Sequence, residues 1–300
     1  NSGNARITFG GLIGDTTPLS SLTLQGTGEN YLPSAITATG NIDLKGTTRT
    51  IPLQVNSTIT SSSNGNVTLG SVSGVFSLAI SNGSGYIDLS SVGTSSSKLT
   101  TLTLYGTGIN KLRGDIVTTG AVDLKGTSRT TQLFSDVTIN TSNADVTIGT
   151  IDGGTTDGAF AFYVNNGSGS IVAGNVGLNV KLKSLTFTGT GNTNIGTVDT
   201  TDGYDLGPDR GLTLNADTTY NNPTDLVLGA ITLADNVTIT LGNGNSGVIS
   251  VKSISGTAGG SSGVLSGKSN VTINSIGTVT IIGAIGTDIG TLTITNSGGT

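Results

Sequence analysis

Residues 22 to 50 read LTLQGTGENYLPSAITATGNIDLKGTTRT and residues 102 to 130 read LTLYGTGINKLRGDIVTTGAVDLKGTSRT, an offset of 80. Repetition this close constrains the fold more than any motif does, because a chain with a fixed period builds an array of like units. SNGNVTLGSV at 63 to 72 returns as SNADVTIGTI at 142 to 151, and NGSGYIDLSSVG at 82 to 93 as NGSGSIVAGNVG at 166 to 177. The offset drifts between 79 and 84, so small insertions are tolerated. A third, degraded copy runs through Leu185-Thr-Phe-Thr-Gly-Thr-Gly191, YDLGPDRGLTL from 204 and LVLGAI from 226. The repeats fall at approximately 19–98, 99–181 and 182–260, with a partial repeat at 261–300.

Inside each repeat a shorter rhythm appears. LTL at 22, IDL at 42, VTL at 67, IDL at 87, LTL at 102 and VDL at 122 are short alternating segments separated by Gly, Ser, Thr, Asn and Asp. Period-two alternation is the pattern of a half-buried strand, and the flanking residues are turn formers. A helical 3, 4, 7 pattern is missing throughout, and Glu occurs once, at Glu29. The expectation is an all-β chain: a parallel β-helix (β-solenoid) of about 20-residue coils, stacked about 4.8 Å apart as a single rod over 1–300. At that coil length, roughly 15 coils are expected. A string of sandwich domains is the alternative; the strands are too short and lack an aromatic core anchor per repeat.

Composition gains meaning on this scaffold. Gly, Ser and Thr fill 134 of 300 positions. Gly and Asn suit left-handed corners, and Ser and Thr can bond locally or stack in ladders. A narrow lumen calls for Val, Ile and Leu. The chain has no Cys, Met, His or Trp, which removes thiol redox, the usual zinc and haem ligands, disulfides and every mechanism with an imidazole base. Thirteen scattered basic residues and a net charge of -5 argue against nucleic acid as a partner, since phosphate binding needs a cationic stripe. Apolar runs are a handful of residues long, such as 159–164, so no transmembrane helix is expected. The opening Asn1-Ser-Gly-Asn-Ala-Arg6 lacks a targeting pattern and reads like the interior of a longer protein.

The run from Ile7 to Leu24, the TATG at 37–40 and VTTG at 117–120, and NGNVTLGSV at 64–72 resemble the tandem units of very large bacterial surface proteins of the filamentous-haemagglutinin-like and autotransporter-passenger-like kind. The resemblance covers nearly all of residues 7 to 200 and lies in repeat grammar more than in a functional motif. It implies a right-handed parallel β-helix, exported to the bacterial outer surface or the extracellular space, in a family of adhesins and structural filaments.

Motif matches were weighed one by one. Gly242-Asn-Gly244-Asn-Ser-Gly247 has the spacing of a dinucleotide fingerprint, but it leads into the strand-like 248–251 where that motif needs a helix. Gly259-Gly-Ser261-Ser-Gly263 has a nucleophile-elbow spacing, and without His the triad cannot be built. Arg113-Gly114-Asp115 resembles an integrin-binding tripeptide and is the candidate adhesion site, against accidental occurrence in a Gly-rich chain. Asp199, Asp202, Asp205 and Asp209 gather near Gly207 and Pro208; if a metal site exists it lies there, and calcium is the ion such oxygens would take. The calcium-solenoid repeat itself is absent, and solvated turn Asp is the simpler reading.

Lys45 and Arg49 recur as Lys125 and Arg129 beside Asp43 and Asp123, which suggests cross-coil ion pairs at the surface. Tyr105 with nearby polar groups raises a sugar site. Thr-x-Thr strings at 101–103, 238–240 and 291–293 raise an ice-binding reading; their irregular spacing favours ordinary outward strand Thr. The functional expectation is a non-enzymatic stalk, adhesin or filament with no cofactor. Its partners would be further repeats of a longer chain or other copies stacked end to end, and a host surface or glycan. The alternative is a carbohydrate-binding or polysaccharide-active β-helix protein.

Overall fold

The computed structural model describes residues 4–221, 224–257, 267–286 and 288–296. Among them every regular element is a β-strand, from two residues (Ile7–Thr8) to nine (Asp225–Leu233), and no helix occurs. The strands stack in parallel as a β-solenoid of about 12 turns, about 22 residues apart. The all-β solenoid expected from the repeats is therefore what the chain forms, with coils slightly longer and fewer than a 20-residue period gives. The nucleophile-elbow spacing at 259–263 lies outside the described residues.

The chain divides into two compact units, Asn1–Thr150 and Ile151–Thr300. The division does not follow the sequence repeats, since it falls within the second. In the first unit, like residues sit on like residues. Ile36 pairs with Ile59, Ile59 with Ile80 and Ile80 with Leu104 on one wall; Leu22, Ile42, Val67 and Ile87 form a column on a second. Val72, Val92, Ile116 and Ile139 line a third. Alternation sends these side chains inward, where nearly all are fully buried. Each contributes about 1.5–3 kcal/mol relative to exposure. Register is fixed because a one-residue slip would turn every column to solvent.

Coil length varies with the corners. Asn192 pairs with Gly211, 19 positions on, and Ile42 with Val67, 25 positions on. Ile239 pairs with Val271, a step of 32, so the coil containing 258–266 is longer than its neighbours. Asn64 and Asn143, equivalent by repeat, have φ of 60° and 62°. They are the left-handed Asn corners that the composition suggested.

The second unit departs from the expected aliphatic lumen. Phe162 pairs with Leu185, Leu185 with Tyr204 and Tyr204 with Leu226, so two aromatic rings enter one inward column. Phe187 and Tyr220 are also fully buried. The interior is wide enough for single rings because neighbouring rungs supply Leu, Ile or Ala. Tyr204 and Tyr220 meet edge to face with centroids 5.8 Å apart, a favoured arrangement for ring quadrupoles.

Burial raises the pKa of both phenols above the ordinary value of 10.0. Each stays neutral in the folded chain at a pH where the unfolded chain ionises it. Stability is therefore flat below about pH 10 and falls above it, by about 1.4 kcal/mol per buried tyrosine per pH unit. Denaturant melts from pH 9 to 11.5 should show this fall, and the Tyr204→Phe/Tyr220→Phe double variant should show a shallower one.

Candidate functional site

The most elaborate constellation of side chains lies inside the coils. Three of the chain's arginines, Arg49, Arg129 and Arg210, recur at intervals of 80 and 81 residues, and each is 1% exposed. This overturns the expectation of surface ion pairs. The preceding acid instead starts the turn that delivers each arginine. Asp43 Oδ1 accepts from the Lys45 amide at 3.0 Å, Asp123 Oδ1 from Lys125 at 2.9 Å and Asp205 Oδ1 from Gly207 at 2.7 Å. The arginine amide closes the turn, bonding Lys45, Lys125 or Gly207 O respectively. Acid and cation share a motif without touching.

Arg129 shows what the guanidinium does. Its Nε donates to Asn110 Oδ1. One terminal nitrogen donates to Asn82 Oδ1 and Tyr105 O, both at 3.0 Å. The other donates to Gly85 O at 3.0 Å and Ile109 O at 3.1 Å. The acceptors lie one coil and two coils back, so a single side chain ties three successive coils. The amides pass the network on, Asn110 Nδ2 to Leu124 O at 2.7 Å and Asn82 Nδ2 to Gly65 O at 3.0 Å. Arg49 repeats the arrangement with Asn30, Thr27 O, Glu29 O and Ala5 O. Arg210 repeats it with Asn166, Gly169 O, Thr188 O and Asn192 O, with Thr193 in place of the second Asn.

A planar fork with five donors suits this task because the acceptors are carbonyl dipoles at fixed positions, where a strand stops pairing and its C=O groups lack partners. Desolvation lowers the Arg129 pKa to about 10 and also lowers that of Arg210. Both remain cations at neutral pH. On the next coil a glycine sits on the arginine's own carbonyl oxygen: a Cβ on Gly70, Gly149 or Gly229 would lie 1.8, 1.9 or 1.9 Å from it. Sequence reasoning used the repeat of Lys45/Arg49 at 125/129 but placed it outside. The signal it passed over was the third copy at Arg210, with Gly at 70, 149 and 229 following in step.

Outward residues make a second pattern. Lys111 Nζ lies 4.0 Å from the Tyr86 ring, Arg113 4.5 Å from the Phe134 ring and Arg6 4.5 Å from the Tyr31 ring. Arg6 and Tyr31 are repeat-equivalent to Tyr86 and Lys111, so the same cation–π contact recurs with its members exchanged. Arg113 also grips Asp88 through two bonds of 2.7 and 2.9 Å, and this hydrogen bond and charge raise its pKa. An open cleft of about 600 Å³ lies beside Arg6, lined by Phe9, Leu12, Tyr31, Pro33 and Val55 among others. Glu29 borders it, accepting from Arg6 Nε at 3.3 Å and Tyr31 Oη at 3.1 Å.

The residues singled out from sequence fall as follows. Arg113, Gly114 and Asp115 lie on the coil surface. The arginine is engaged with Asp88 and Phe134, and Asp115 Oδ1 accepts from the Thr138 amide at 2.8 Å. The four aspartates do not converge. Asp199 pairs with Lys181 at 3.0 Å and Asp209 with Lys252 at 3.4 Å, Asp205 caps Gly207, and Asp202 contacts Thr201. Among the described residues no group of three or more acids could hold a metal, so calcium has no site built from these four. Tyr105 is half exposed while its carbonyl serves Arg129. Gly242 to Gly247 joins strand Thr238–Asn245 to strand Ile249–Gly256, as a turn reading requires. The Thr-x-Thr strings do recur by coil in the second unit: Thr219, Thr240, Thr272 and Thr293 pair in one outward column. Their sequence spacing looked irregular because the long coil intervenes.

Comparison with protein-family models, curated proteins and solved structures gave no match.

Replacing Arg129 by Lys keeps the charge but not the fork, stranding several buried acceptors. Unfolding free energy should drop by about 3–5 kcal/mol. Arg6→Lys, at an exposed pair, should change it by less than about 1 kcal/mol. Urea titration of both variants checks the contrast.

Proposed function

We propose that the chain is a non-enzymatic structural or adhesive segment of a bacterial surface protein, working outside the cell as a β-solenoid stalk or filament. The observation that carries this reading is what repetition keeps and what it changes. The buried arginine, its turn acid and the glycine above it return in all three repeats. Outward residues at equivalent positions differ: Gln25 becomes Tyr105, Tyr31 becomes Lys111 and Pro33 becomes Arg113. Selection that holds coil stacking fixed while the exterior varies suits a scaffold that presents surface, with ladders along the coils supplying stiffness and corners supplying contacts. Low charge, the lack of Cys and the resemblance to exported repeat proteins support the location.

Carbohydrate binding is the second reading, favoured by the cleft beside Arg6 with its aromatic and polar lining. Cleavage there would call for two carboxylates about 5–9 Å apart, and Glu29 is already shared between Arg6 and Tyr31. Labelling intact cells of the source organism with an antibody against this segment should stain the surface, and staining only after lysis would refute the surface role. A glycan array run with the purified chain and its Tyr31→Ala variant separates the second reading: binding lost in the variant supports it, and no binding by either removes it.

A further inference from the structure

Four buried side-chain oxygens in the second unit have no hydrogen-bond partner, and they lie close together in the chain: Thr200 Oγ1, Tyr204 Oη, Tyr220 Oη and Asn221 Oδ1. Topology gathers them. Strand Val198–Asp205 pairs on one wall through Val198 with Tyr220 and Asp199 with Asn221. On the next wall it pairs through Gly203, Tyr204 and Asp205 with residues 225–227. Gly203, with φ of 135°, turns the strand between the two walls. Thr200 and Tyr204 therefore approach the interior from adjoining walls of one corner, and the Tyr220 ring meets the Tyr204 ring from the next coil at 5.8 Å. Thr200 and Tyr220 are fully buried and Tyr204 is 3% exposed.

The placement is unlike the rest of the lumen. Tyr204 sits in a column between Leu185 and Leu226, and Tyr220 pairs onward with Leu241, so phenols stand where aliphatic residues stand on neighbouring rungs. A hydroxyl is both donor and acceptor, and leaving several unpaired in one dry corner would forfeit every bond they make to water in the unfolded chain. A buried water makes about three hydrogen bonds to otherwise unsatisfied groups, which matches the three inward hydroxyls.

We propose that this corner is a built solvent site, in which one or more ordered water molecules bind among Thr200, Tyr204 and Tyr220 and link two walls across successive coils. A metal cation fits less well. The oxygens are neutral, and Asp199, the nearby carboxylate, is already paired with Lys181 at 3.0 Å. The inference rests on the fold and is independent of the surface role.

A crystal structure of the wild-type chain at a resolution that shows ordered solvent tests it. The expected result is a solvent peak within hydrogen-bonding distance of Tyr220 Oη and of at least one of the other two hydroxyls. A dry corner, or hydroxyls bonded directly to protein atoms, would overturn the proposal. Oxygen-17 relaxation dispersion in solution gives a second readout. The long-residence water signal should fall in the Thr200→Val/Tyr204→Phe/Tyr220→Phe variant, and a signal equal to wild type from a folded variant would also count against the site.

Discussion

A parallel coil leaves carbonyl groups without partners wherever a strand ends and turns a corner, and burying those groups dry costs about 1–3 kcal/mol each. In this chain the buried guanidinium answers that constraint. Arg129 reaches backbone and amide oxygens on the two preceding coils, and its own carbonyl is covered by Gly149 on the next. A corner that would otherwise admit water becomes a joint holding three layers. Because Arg49 and Arg210 do the same work at intervals of 80 and 81 residues, the long sequence repeat can be understood as the spacing of these joints.

The joints also divide labour between inside and outside. Inward positions keep to columns of Ile, Val and Leu with a few rings, while outward positions are free to change between repeats. Where aromatic rings do face out, they are covered by cations: Tyr31 by Arg6, Tyr86 by Lys111, Phe134 by Arg113. Such pairs cover apolar ring faces and bridge neighbouring coils, each contributing about 0.5–1 kcal/mol at exposed positions. Acids act chiefly as turn caps and as partners of single cations, an arrangement suited to holding shape.

Much of the architecture was legible in the sequence because it follows from period-two alternation and self-similarity, both visible without coordinates. The columns at Ile36/Ile59/Ile80 and the left-handed corners at Asn64 and Asn143 are of this kind. The joints were not. Arginine is ordinarily a surface residue, and burial of Arg49 depends on acceptors 19 to 44 positions earlier, whose convergence only the coil stacking creates. The threonine column was hidden for a related reason: the step from Thr240 to Thr272 spans 32 residues, so spacing in sequence did not report spacing in space. Tyr204 and Tyr220 could not be placed because alternation says which way a residue points, not how wide the lumen is at that rung.

Amide hydrogen exchange on the Arg129→Met variant, compared residue by residue with wild type, tests the central role of the joint most directly. If the guanidinium ties three coils, protection should fall together around residues 82–86, 105–110 and 124–130, while the column through Ile36 and Ile59 is affected far less. Loss confined to the immediate neighbours of residue 129, or no loss at all, would show that the coils are held without it.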